Sequence, residues 1–440
     1  MELTIEKWIY GGEGLARMAP DETGRGKAVF VPFVLPGETI EAEIIEERSG
    51  FARAKLVNVA TASPARVEPT CPYFFRCGGC QYQHAEYAKQ LQWKRDILVE
   101  TLARTAKIEL ATDVQIHASE PYGYRNRTRL KVRTEPDFAL GYHRFGTNDL
   151  LPVKECPISS PLIQRAITAM WSVASRIKFP PGLREVQFFA DHVDETLLAE
   201  FYIDRDMDSQ KLEPIANSLR GELPAIIGVS VFPSGPLVED ENRAPLIASK
   251  AAVSGATFGE KSLRYATASD TFRVSAGSFF QTNRFLIDEL IQTAVNGSKG
   301  RTALDLYAGT GLFSLPLSRS FERVIAVEAS PHSFADLHSN ATPNIKAVQA
   351  STEKYLDNVG RRSGIDLILA DPPRSGMGEH TSRKLGQTGV PRLTYVSCDP
   401  ATLARDLRVL TAAGFAIESV HLVDLFPQTF HMETVVRLVR

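Results

Sequence analysis

The fold is decided by one short run, Asp-Leu-Tyr-Ala-Gly-Thr-Gly-Leu-Phe at residues 305–313. The run follows an apolar segment and precedes a helical pattern, so it predicts the loop between a buried strand and a helix. Gly309 and Gly311 let the backbone turn tightly and approach a ligand. Glu328 ends the next apolar run, where a carboxylate suits the paired hydroxyls of a ribose. The pattern predicts a nucleotide-type binding loop, with a purely structural turn as the alternative.

Two ligands suit such a loop. Dinucleotide-binding loops usually have a third glycine, but Ser314 occupies that position here. The run opens with an acidic residue, Asp305, and in this respect it resembles the loop that binds S-adenosylmethionine. In that case Asp305 would orient the loop near the methionine part, and Glu328 would hold the ribose.

The apolar runs around this loop predict an α/β fold. Helical patterns lie between most of them, which favours a parallel sheet with helices on both faces. The last two runs are joined by a short turn at 426–428, so they should pair antiparallel at the sheet edge. We therefore expect a Rossmann-like sheet of seven strands. The runs are 303–306, 324–327, 345–348, 367–370, 393–396, 417–423 and 435–439.

Two further strand ends carry chemically distinctive residues. Asp371 opens an Asp-Pro-Pro turn and Cys398 follows the next apolar run. Ligands of open α/β sheets lie beyond the carboxyl ends of strands, so both side chains should face the same crevice. The structural alternatives are a helix cap for Asp371 and a small buried apolar side chain for Cys398. Because Pro400 and a helix follow, we expect a thiol with a lowered pKa and usable nucleophilicity.

A reactive cysteine beside a methyl donor indicates that the target carbon is a poor nucleophile and must be activated covalently. Carbon methylation also needs a base to remove a proton, and Glu433 is the best-placed candidate, with His431 as a weaker rival. Methylases of exocyclic amines usually have an aromatic residue after Asp-Pro-Pro. Arg374 stands there instead, which argues against amine chemistry.

Four of the five cysteines suggest a metal site. Cys71, Cys77 and Cys80 form C-x5-C-x2-C, and Cys156 lies far along the chain. Four thiolates suit a closed [4Fe–4S] cluster, which we favour, or a structural zinc ion. Free thiols are the third possibility. Five cysteines are too few for a disulfide scaffold, and an odd number cannot all pair within one chain.

The remaining chain is ordinary globular protein. Residues 1–60 read as several short strands with turns between them, which predicts a small closed β-barrel. Residues 84–108 are helical in pattern, and residues 118–265 are mixed α and β. The longest apolar stretch, 28–36, is too short to span a membrane, and the first residues lack a signal-peptide pattern. We therefore expect a cytoplasmic protein. Its net charge is −2, so any surface for nucleic acid must be local.

One such surface is predicted by alternation of charge. The cations occur at every second residue, and on a strand this spacing puts them on one face, where a phosphate backbone is a natural partner. A solvated basic strand is the alternative. The residues are Arg125, Arg127, Arg129, Lys131 and Arg133.

Together these motifs resemble the bacterial RNA uracil-5-methyltransferases that use S-adenosylmethionine. The resemblance covers essentially the whole chain and is greatest to the branch that carries a TRAM barrel and a [4Fe–4S] cluster and acts on 23S ribosomal RNA. Residues 10–17 and the turn 35–38 are similar to TRAM, and the cysteine spacing agrees with the cluster. Residues 279–283, Phe-Phe-Gln-Thr-Asn, look like the family's F-F-Q-x-N segment.

The resemblance implies roles for individual residues. Cys398 matches the nucleophile and Glu433 the base, whereas Phe279 is implied as an RNA contact. Leu312 departs from relatives that have an asparagine there, so that donor contact is lost or made by backbone. The donor-binding residues that the resemblance and the loop imply are Gln281, Asp305, Tyr307, Gly309, Gly311, Glu328 and Asp371.

The resemblance also implies the organisation of the protein. The TRAM barrel is expected at 1–60, the iron–sulfur domain at 61–83 and 118–265, and a split methyltransferase domain at 84–117 and 266–440. We expect a monomer that acts on ribosomal RNA, with transfer RNA as the alternative target. The rival functions are a nicotinamide oxidoreductase, a non-catalytic RNA-binding protein and an amine or ribose methylase, none of which requires Cys398.

Overall fold

The computed structural model describes residues 1–19, 26–234, 255–359 and 364–440. The first unit is a six-stranded sheet in the order β1-β5-β6-β4-β3-β2. Strands β1 and β3 also pack on each other, so the sheet closes around a small core that includes Ala42, Ala52 and Ala54. This agrees with the predicted barrel of short strands. Its strands are β1 (Glu2–Thr4), β2 (Lys7–Trp8), β3 (Glu13–Arg17), β4 (Ala28–Pro32), β5 (Thr39–Glu47) and β6 (Phe51–Thr61).

A helix and a short strand follow the loop that contains three of the cysteines. Helix α1 (Tyr87–Thr101) continues as a π-helical turn to Ala106 and stops at Lys107, whose φ of 60° is left-handed. Strand β7 (Gln115–His117) comes next. Both belong to the C-terminal unit, because the apolar face of α1 packs in the core of that unit and β7 joins its sheet.

The central unit is a seven-stranded sheet, in the order β10-β9-β8-β11-β12-β13-β14, with two helices packed in its core. All neighbouring strands are antiparallel except β12 and β13. The elements are β8 (Arg127–Arg133), β9 (Ala139–His143), β10 (Leu150–Pro152), α2 (Pro161–Ala174), β11 (Leu183–Ala190), β12 (Leu197–Ile203), α3 (Glu213–Glu222), β13 (Ile226–Pro233) and β14 (Thr257–Gly259).

The C-terminal unit begins with a hairpin that packs in the same hydrophobic cluster as the large sheet. We therefore place the border between the units after Gly259 and before Ser262. The further elements alternate strand and helix as the apolar runs predict. They are β15 (Ser262–Ala266), β16 (Thr271–Ser275), α4 (Ile287–Val295), β17 (Gly300–Leu306), α5 (Ser314–Leu317), β18 (Phe321–Glu328), α6 (Pro331–Asn340), β19 (Ile345–Gln349), α7 (Thr352–Leu356), β20 (Leu367–Ala370), α8 (Gly378–Gln387), β21 (Arg392–Ser397), α9 (Pro400–Ala412), β22 (Ala416–Val423) and β23 (Glu433–Val439).

The large sheet has eight strands rather than the expected seven, in the order β19-β18-β17-β20-β21-β23-β22-β7. The expected antiparallel pairing of β22 with β23 is confirmed. The eighth strand, β7, pairs parallel to β22 and covers an edge that would otherwise leave backbone groups unpaired. Three residues are too few for alternation to reveal such a strand. In the part of the chain that the structure describes, no helix is long and apolar enough to cross a membrane.

Candidate active site

The sheet topology gathers the predicted catalytic residues at one edge. Strands β17, β18, β20 and β21 are parallel neighbours, so the loops after them lie side by side. Strand β23 runs antiparallel to β21, with Thr434 opposite Ser397. The first residue of β23 therefore lies beside the loop that follows β21. This geometry brings Glu433 next to Cys398, although the two are far apart in the sequence.

The glycine loop is shaped for a ligand on one side and for packing on the other. A Cβ added at Gly309, where φ is 56°, would meet no atom within 4 Å, so this position faces open space. At Gly311, where φ is 99°, a Cβ would lie 3.1 Å from Leu315 and from Leu337. Gly309 thus leaves room for a ligand, whereas Gly311 lets the loop pack on the helices.

Two carboxylates brace this loop. Glu328 accepts hydrogen bonds from the backbone N–H groups of Gly309 at 2.8 Å and Ser330 at 2.6 Å. Asp305 is fully buried and accepts a hydrogen bond from the Ser314 hydroxyl. Burial raises the pKa of Asp305 to about 7, and that of Glu328 is raised for the same reason.

Polar atoms remain unpartnered in this loop. Neither Oδ1 of Asp305 nor the Thr310 hydroxyl has a hydrogen-bond partner among the described residues, although both atoms are buried. Buried polar groups are normally satisfied, so these atoms are available to a ligand. Leu312 is buried in the hydrophobic core beside the loop.

The nucleophile candidate lies in an acidic and largely dry setting. Burial raises the pKa of the Cys398 thiol, and the nearby carboxylates of Glu433, Asp371 and Asp399 raise it further. Only the Arg374 guanidinium acts in the opposite direction. The expected lowering of this pKa is not found, because burial and the neighbouring carboxylates raise it.

The pKa values of the two base candidates, Glu433 and His431, are shifted in opposite directions. Glu433 is buried, and burial together with Asp371 raises its pKa well above the usual range. Burial, followed by nearby Arg374, lowers the pKa of His431 to about 3. His431 also lies 3.3 Å from the guanidinium of Arg374. An imidazole with so low a pKa is a poor proton acceptor at neutral pH, which favours Glu433.

Asp371 lies beside the thiol and Glu433, and Gln281 lies in a segment that the central unit holds. Asp371 follows β20, and burial and then Asp305 raise its pKa to about 7. Gln281 is buried, with the exposed ring of Phe279 two residues before it. The central unit holds this segment, because Arg127 donates to the Ser278 carbonyl at 2.6 Å and the Asn126 N–H donates to that of Thr282 at 3.0 Å. Tyr307 adopts a left-handed φ of 61° within the glycine loop.

All four predicted metal-binding cysteines line one cavity of about 300 Å3. The cavity also contacts Arg374, Phe430 and His431, so it adjoins the crevice. Burial is the main cause of the raised pKa of each of the thiols in the 71–80 loop, and Cys156 adds to it. Within the described residues, no group of three or more His, Cys, Asp or Glu side chains is arranged to hold a single metal ion.

The five alternating cations at 125–133 do not all point freely into solvent. Its neighbour β11 puts Glu185 opposite Lys131, Gln187 opposite Arg129 and Phe189 opposite Arg127. Arg129 and Lys131 both form ion pairs with Glu185. Arg127 is buried and its guanidinium stacks 4.1 Å from the Phe189 ring centroid.

The expectation of phosphate contact is therefore corrected for Arg127, because that end of the strand is covered by the C-terminal unit. Arg125 is half-buried, and Arg133 is exposed at the other end. The alternation of the cations did predict their common face, but the composition of β8 alone could not reveal the partners on β11.

Sequence reasoning missed two participants of the crevice. The Tyr10 hydroxyl of the barrel lies 3.5 Å from the Cys398 carbonyl oxygen. Nothing in the spacing of residues 1–60 signals that contact. Arg374, noted in the sequence only as evidence against amine chemistry, is the cation beside the thiol. Its position directly after Asp-Pro-Pro was the available signal.

Comparisons with known proteins identify the family of this chain. Residues 86–440 match the family described as tRNA (Uracil-5-)-methyltransferase, and residues 1–57 match the TRAM domain. An uncharacterized RNA methyltransferase of Aquifex aeolicus is 31% identical, over 100% of this chain and 98% of its own length. A 23S rRNA (uracil(1939)-C(5))-methyltransferase, RlmD, of Pectobacterium carotovorum is 32% identical, over 99% of this chain and 92% of its own length.

A similar fold is known from crystallography. The tRNA (uracil-54, C5)-methyltransferase of Pyrococcus abyssi, solved in complex with S-adenosyl-L-homocysteine, superposes with a TM-score of 0.74. The match covers 99% of each chain at 22% sequence identity. At this identity the likeness concerns the fold.

Proposed function

Because the chain belongs to the tRNA (uracil-5-)-methyltransferase family, we propose that it methylates carbon 5 of a uridine in 23S ribosomal RNA. The methyl donor is S-adenosylmethionine. The observation that carries the proposal is the adjacency of Cys398 and Glu433 across β21 and β23, beside the glycine loop. The named relative of Pectobacterium carotovorum supports the choice of ribosomal RNA. A monomer in the cytoplasm suffices, since one chain supplies every residue of the site.

The residues around the glycine loop suit the donor. The donor supplies a methyl group on a positively charged sulfonium. Asp305, Gly309, Gly311 and Tyr307 would bind it through the loop, and Glu328 would hold its ribose. The fit is supported by the unpartnered oxygen of Asp305 and by the open space at Gly309. Gln281 and Asp371 would contact it from the two sides of the crevice.

The carbon chemistry is assigned to Cys398. The target uridine must leave its base stack, since its reacting carbons are inaccessible within a helix. The Cys398 thiolate adds to carbon 6 of the uracil and makes carbon 5 an enolate-like nucleophile, which takes the methyl group from the sulfonium. The products of this step are a methylated Cys398–uracil adduct and S-adenosylhomocysteine.

Glu433 completes the reaction as the base. Its carboxylate removes the proton from carbon 5, the carbon 5–carbon 6 double bond re-forms, and the Cys398 thiolate leaves as the adduct breaks down. Once ionised, a carboxylate whose pKa is raised is a stronger base than an ordinary one, which suits removal of a carbon-bound proton. Arg374 favours the thiolate form of Cys398 through its charge.

The four clustered cysteines are assigned to a [4Fe–4S] cluster with a bracing role. A cluster spreads its thiolates over several iron ions, whereas a zinc ion draws four ligands to about 2.3 Å from one centre. The cavity that all four thiols share supports this assignment. Anaerobically purified protein should contain about four iron ions per chain. Serine at Cys71 or Cys156 should lower the iron content, and serine at Cys398 should not.

RNA contacts are assigned to Phe279 and to the exposed cations. Phe279 is 59% exposed beside Gln281, where its ring can stack on an unpaired base. Arg125, Arg129, Lys131 and Arg133 would approach phosphates. For Arg129 and Lys131 this requires that RNA compete with Glu185.

Tritium release tests the function. Unmodified 23S ribosomal and transfer RNA transcripts, labelled with tritium at carbon 5 of uridine, are incubated with anaerobically purified protein. We expect donor-dependent release from the ribosomal transcript and none with Cys398→Ala. Release from transfer RNA alone would reassign the substrate, and release from neither would refute carbon-5 methylation.

A further inference from the structure

The barrel is fixed rigidly against the rest of the protein. The indole of Trp8 stacks on Tyr82 with 3.7 Å between ring centroids and lies edge-on to Trp93 at 4.5 Å. Trp8 and Leu35 of the barrel are buried in the hydrophobic cluster of the C-terminal unit. Such burial fixes orientation as well as distance, so a side chain two residues beyond Trp8 has a defined place.

That side chain, Tyr10, reaches both catalytic loops. Its hydroxyl lies 3.5 Å from the carbonyl oxygen of Cys398 and within reach of the Asp399 carboxylate. Its ring meets Phe430 edge-on, with 5.4 Å between centroids. Phe430 lies three residues before Glu433, so one side chain of the barrel touches the loop of the nucleophile and the loop of the base.

The loop around Cys398 has few other supports from outside. Ser397 and Asp399 bond to each other, and Asp399 caps helix α9 through the N–H groups of Ala401 and Thr402. These contacts are all local. Among the described residues, the Tyr10 hydroxyl is the hydrogen-bond donor that reaches this loop from another unit of the protein. The nearby backbone at Gly12 is also tightly packed. A Cβ at Gly12 would lie 2.7 Å from Gln81 and 3.4 Å from Phe430.

We propose that Tyr10 is a positioning residue for the methyl-transfer reaction, which holds the Cys398 loop and the Phe430 loop at their working separation. The TRAM barrel then has a part in catalysis beyond any part in RNA binding. This inference rests on the proposed function, because the positioned groups are its nucleophile and its base. Small displacements of reacting groups have large effects on rate, up to about 100-fold for about 1 Å.

The test compares Tyr10→Phe, which keeps the ring, with Tyr10→Ala, which removes it. We expect kcat for tritium release to fall about five- to tenfold in Tyr10→Phe, as for loss of a hydrogen bond near 1 kcal/mol, and further in Tyr10→Ala. KM for RNA and donor should stay within about twofold of wild type. RNA that contains 5-fluorouridine traps the Cys398 adduct, because no proton can leave carbon 5. Its rate of trapping should fall by the same factor as kcat.

The control is Val57→Ala, at a barrel position that is 61% exposed, which should match wild type in every measurement. A rise of KM with unchanged kcat in both Tyr10 variants would overturn the inference and leave the barrel as an RNA-binding unit. Unchanged kinetics in both would also overturn it. Because wild type is assayed in parallel, absence of tritium release from wild type refutes the proposed function instead.

Discussion

Lys94 and Asp424 form an ion pair in which the ammonium lies 2.6 Å from the carboxylate and both side chains are fully buried. Asp424 also accepts a hydrogen bond from the Tyr87 hydroxyl at 2.9 Å, and Lys94 donates to the Phe426 carbonyl at 3.0 Å. The pair joins helix α1 to the turn before β23, so it supports the segment that leads into Glu433.

Removal of one partner should be strongly destabilising. In Lys94→Met the Asp424 carboxylate remains buried without its cation, which typically costs about 3–5 kcal/mol of stability. The matched control is Lys7→Met, which breaks the half-exposed pair of Lys7 with Glu100 and should cost less than about 1 kcal/mol. Urea unfolding of the three proteins measures the difference. Equal losses of unfolding free energy in the two variants would mean that the buried pair stabilises the protein no more than the half-exposed pair does.

Glu433→Gln should separate methyl transfer from adduct breakdown. An amide cannot remove the carbon-5 proton, so a methylated RNA–protein adduct should accumulate while free product disappears. Denaturing gels with labelled donor detect the adduct, and Cys398→Ala should abolish it. Normal turnover of Glu433→Gln would assign the base elsewhere.

The rate of adduct trapping should depend on pH in a way that changes when the charge of Arg374 is removed. Burial and neighbouring carboxylates raise the pKa of Cys398, so the rate of adduct trapping in wild type should increase as pH rises from 6 to 9. Loss of an opposing cation raises that pKa further, and Arg374→Ala should shift the profile by about one pH unit to higher pH. Arg374→Lys keeps the charge and should shift less. An increase in KM for RNA, with the rate of trapping at saturating RNA unchanged, would indicate substrate binding instead.

The ionised Asp305 carboxylate should lower the stability of the protein but support binding of the donor. Its pKa is about 7 in the folded protein and near 4 when unfolded, so its stabilising contribution is complete below pH 4 and is lost as pH rises to about 7. Asp305→Asn removes this loss, and Tm should exceed that of wild type by about 2–6 °C at pH 8. The difference should disappear near pH 4. S-adenosylhomocysteine should raise the Tm of wild type much more than that of the variant.

Two arginines of β8 should behave differently. Arg133→Ala removes an exposed cation, so RNA affinity should fall and the slope of log K against log salt should decrease by about one. Arg127→Ala leaves the Ser278 carbonyl without its donor, so Tm and donor affinity should fall while the salt slope is unchanged. Filter binding at several salt concentrations and thermal shifts with the donor product distinguish them. A changed salt slope in Arg127→Ala would contradict its assignment to the interior.

Much of the C-terminal unit follows from local pattern. The seven apolar runs, from 303 to 439, correspond to seven strands because buried parallel strands need continuous apolar sequence. The positions of Asp371 and Cys398 at strand ends follow from the same rule. The pairing of β22 with β23 follows from the short turn between them.

The features that the sequence pattern did not predict depend on contacts between segments that are distant in the chain. Strand β7 is defined by its partner β22 and not by its own three residues. The burial of Arg127 depends on Phe189 and on the C-terminal unit. The raised pKa of Cys398 depends first on burial and then on carboxylates that include Glu433 and Asp371 from other segments. Tyr10 reaches the crevice only because Trp8 anchors the barrel.

The split of the catalytic unit has a consequence for synthesis of the chain. Lys94 is made 330 residues before Asp424, so helix α1 leaves the ribosome long before its docking surface exists. During that interval Ile97 and Leu98, which end up in the core, are exposed to water. A nascent chain that stalls before residue 424 therefore carries an undocked apolar helix, which makes it a substrate for chaperones. The active site cannot assemble before Glu433 has been synthesised.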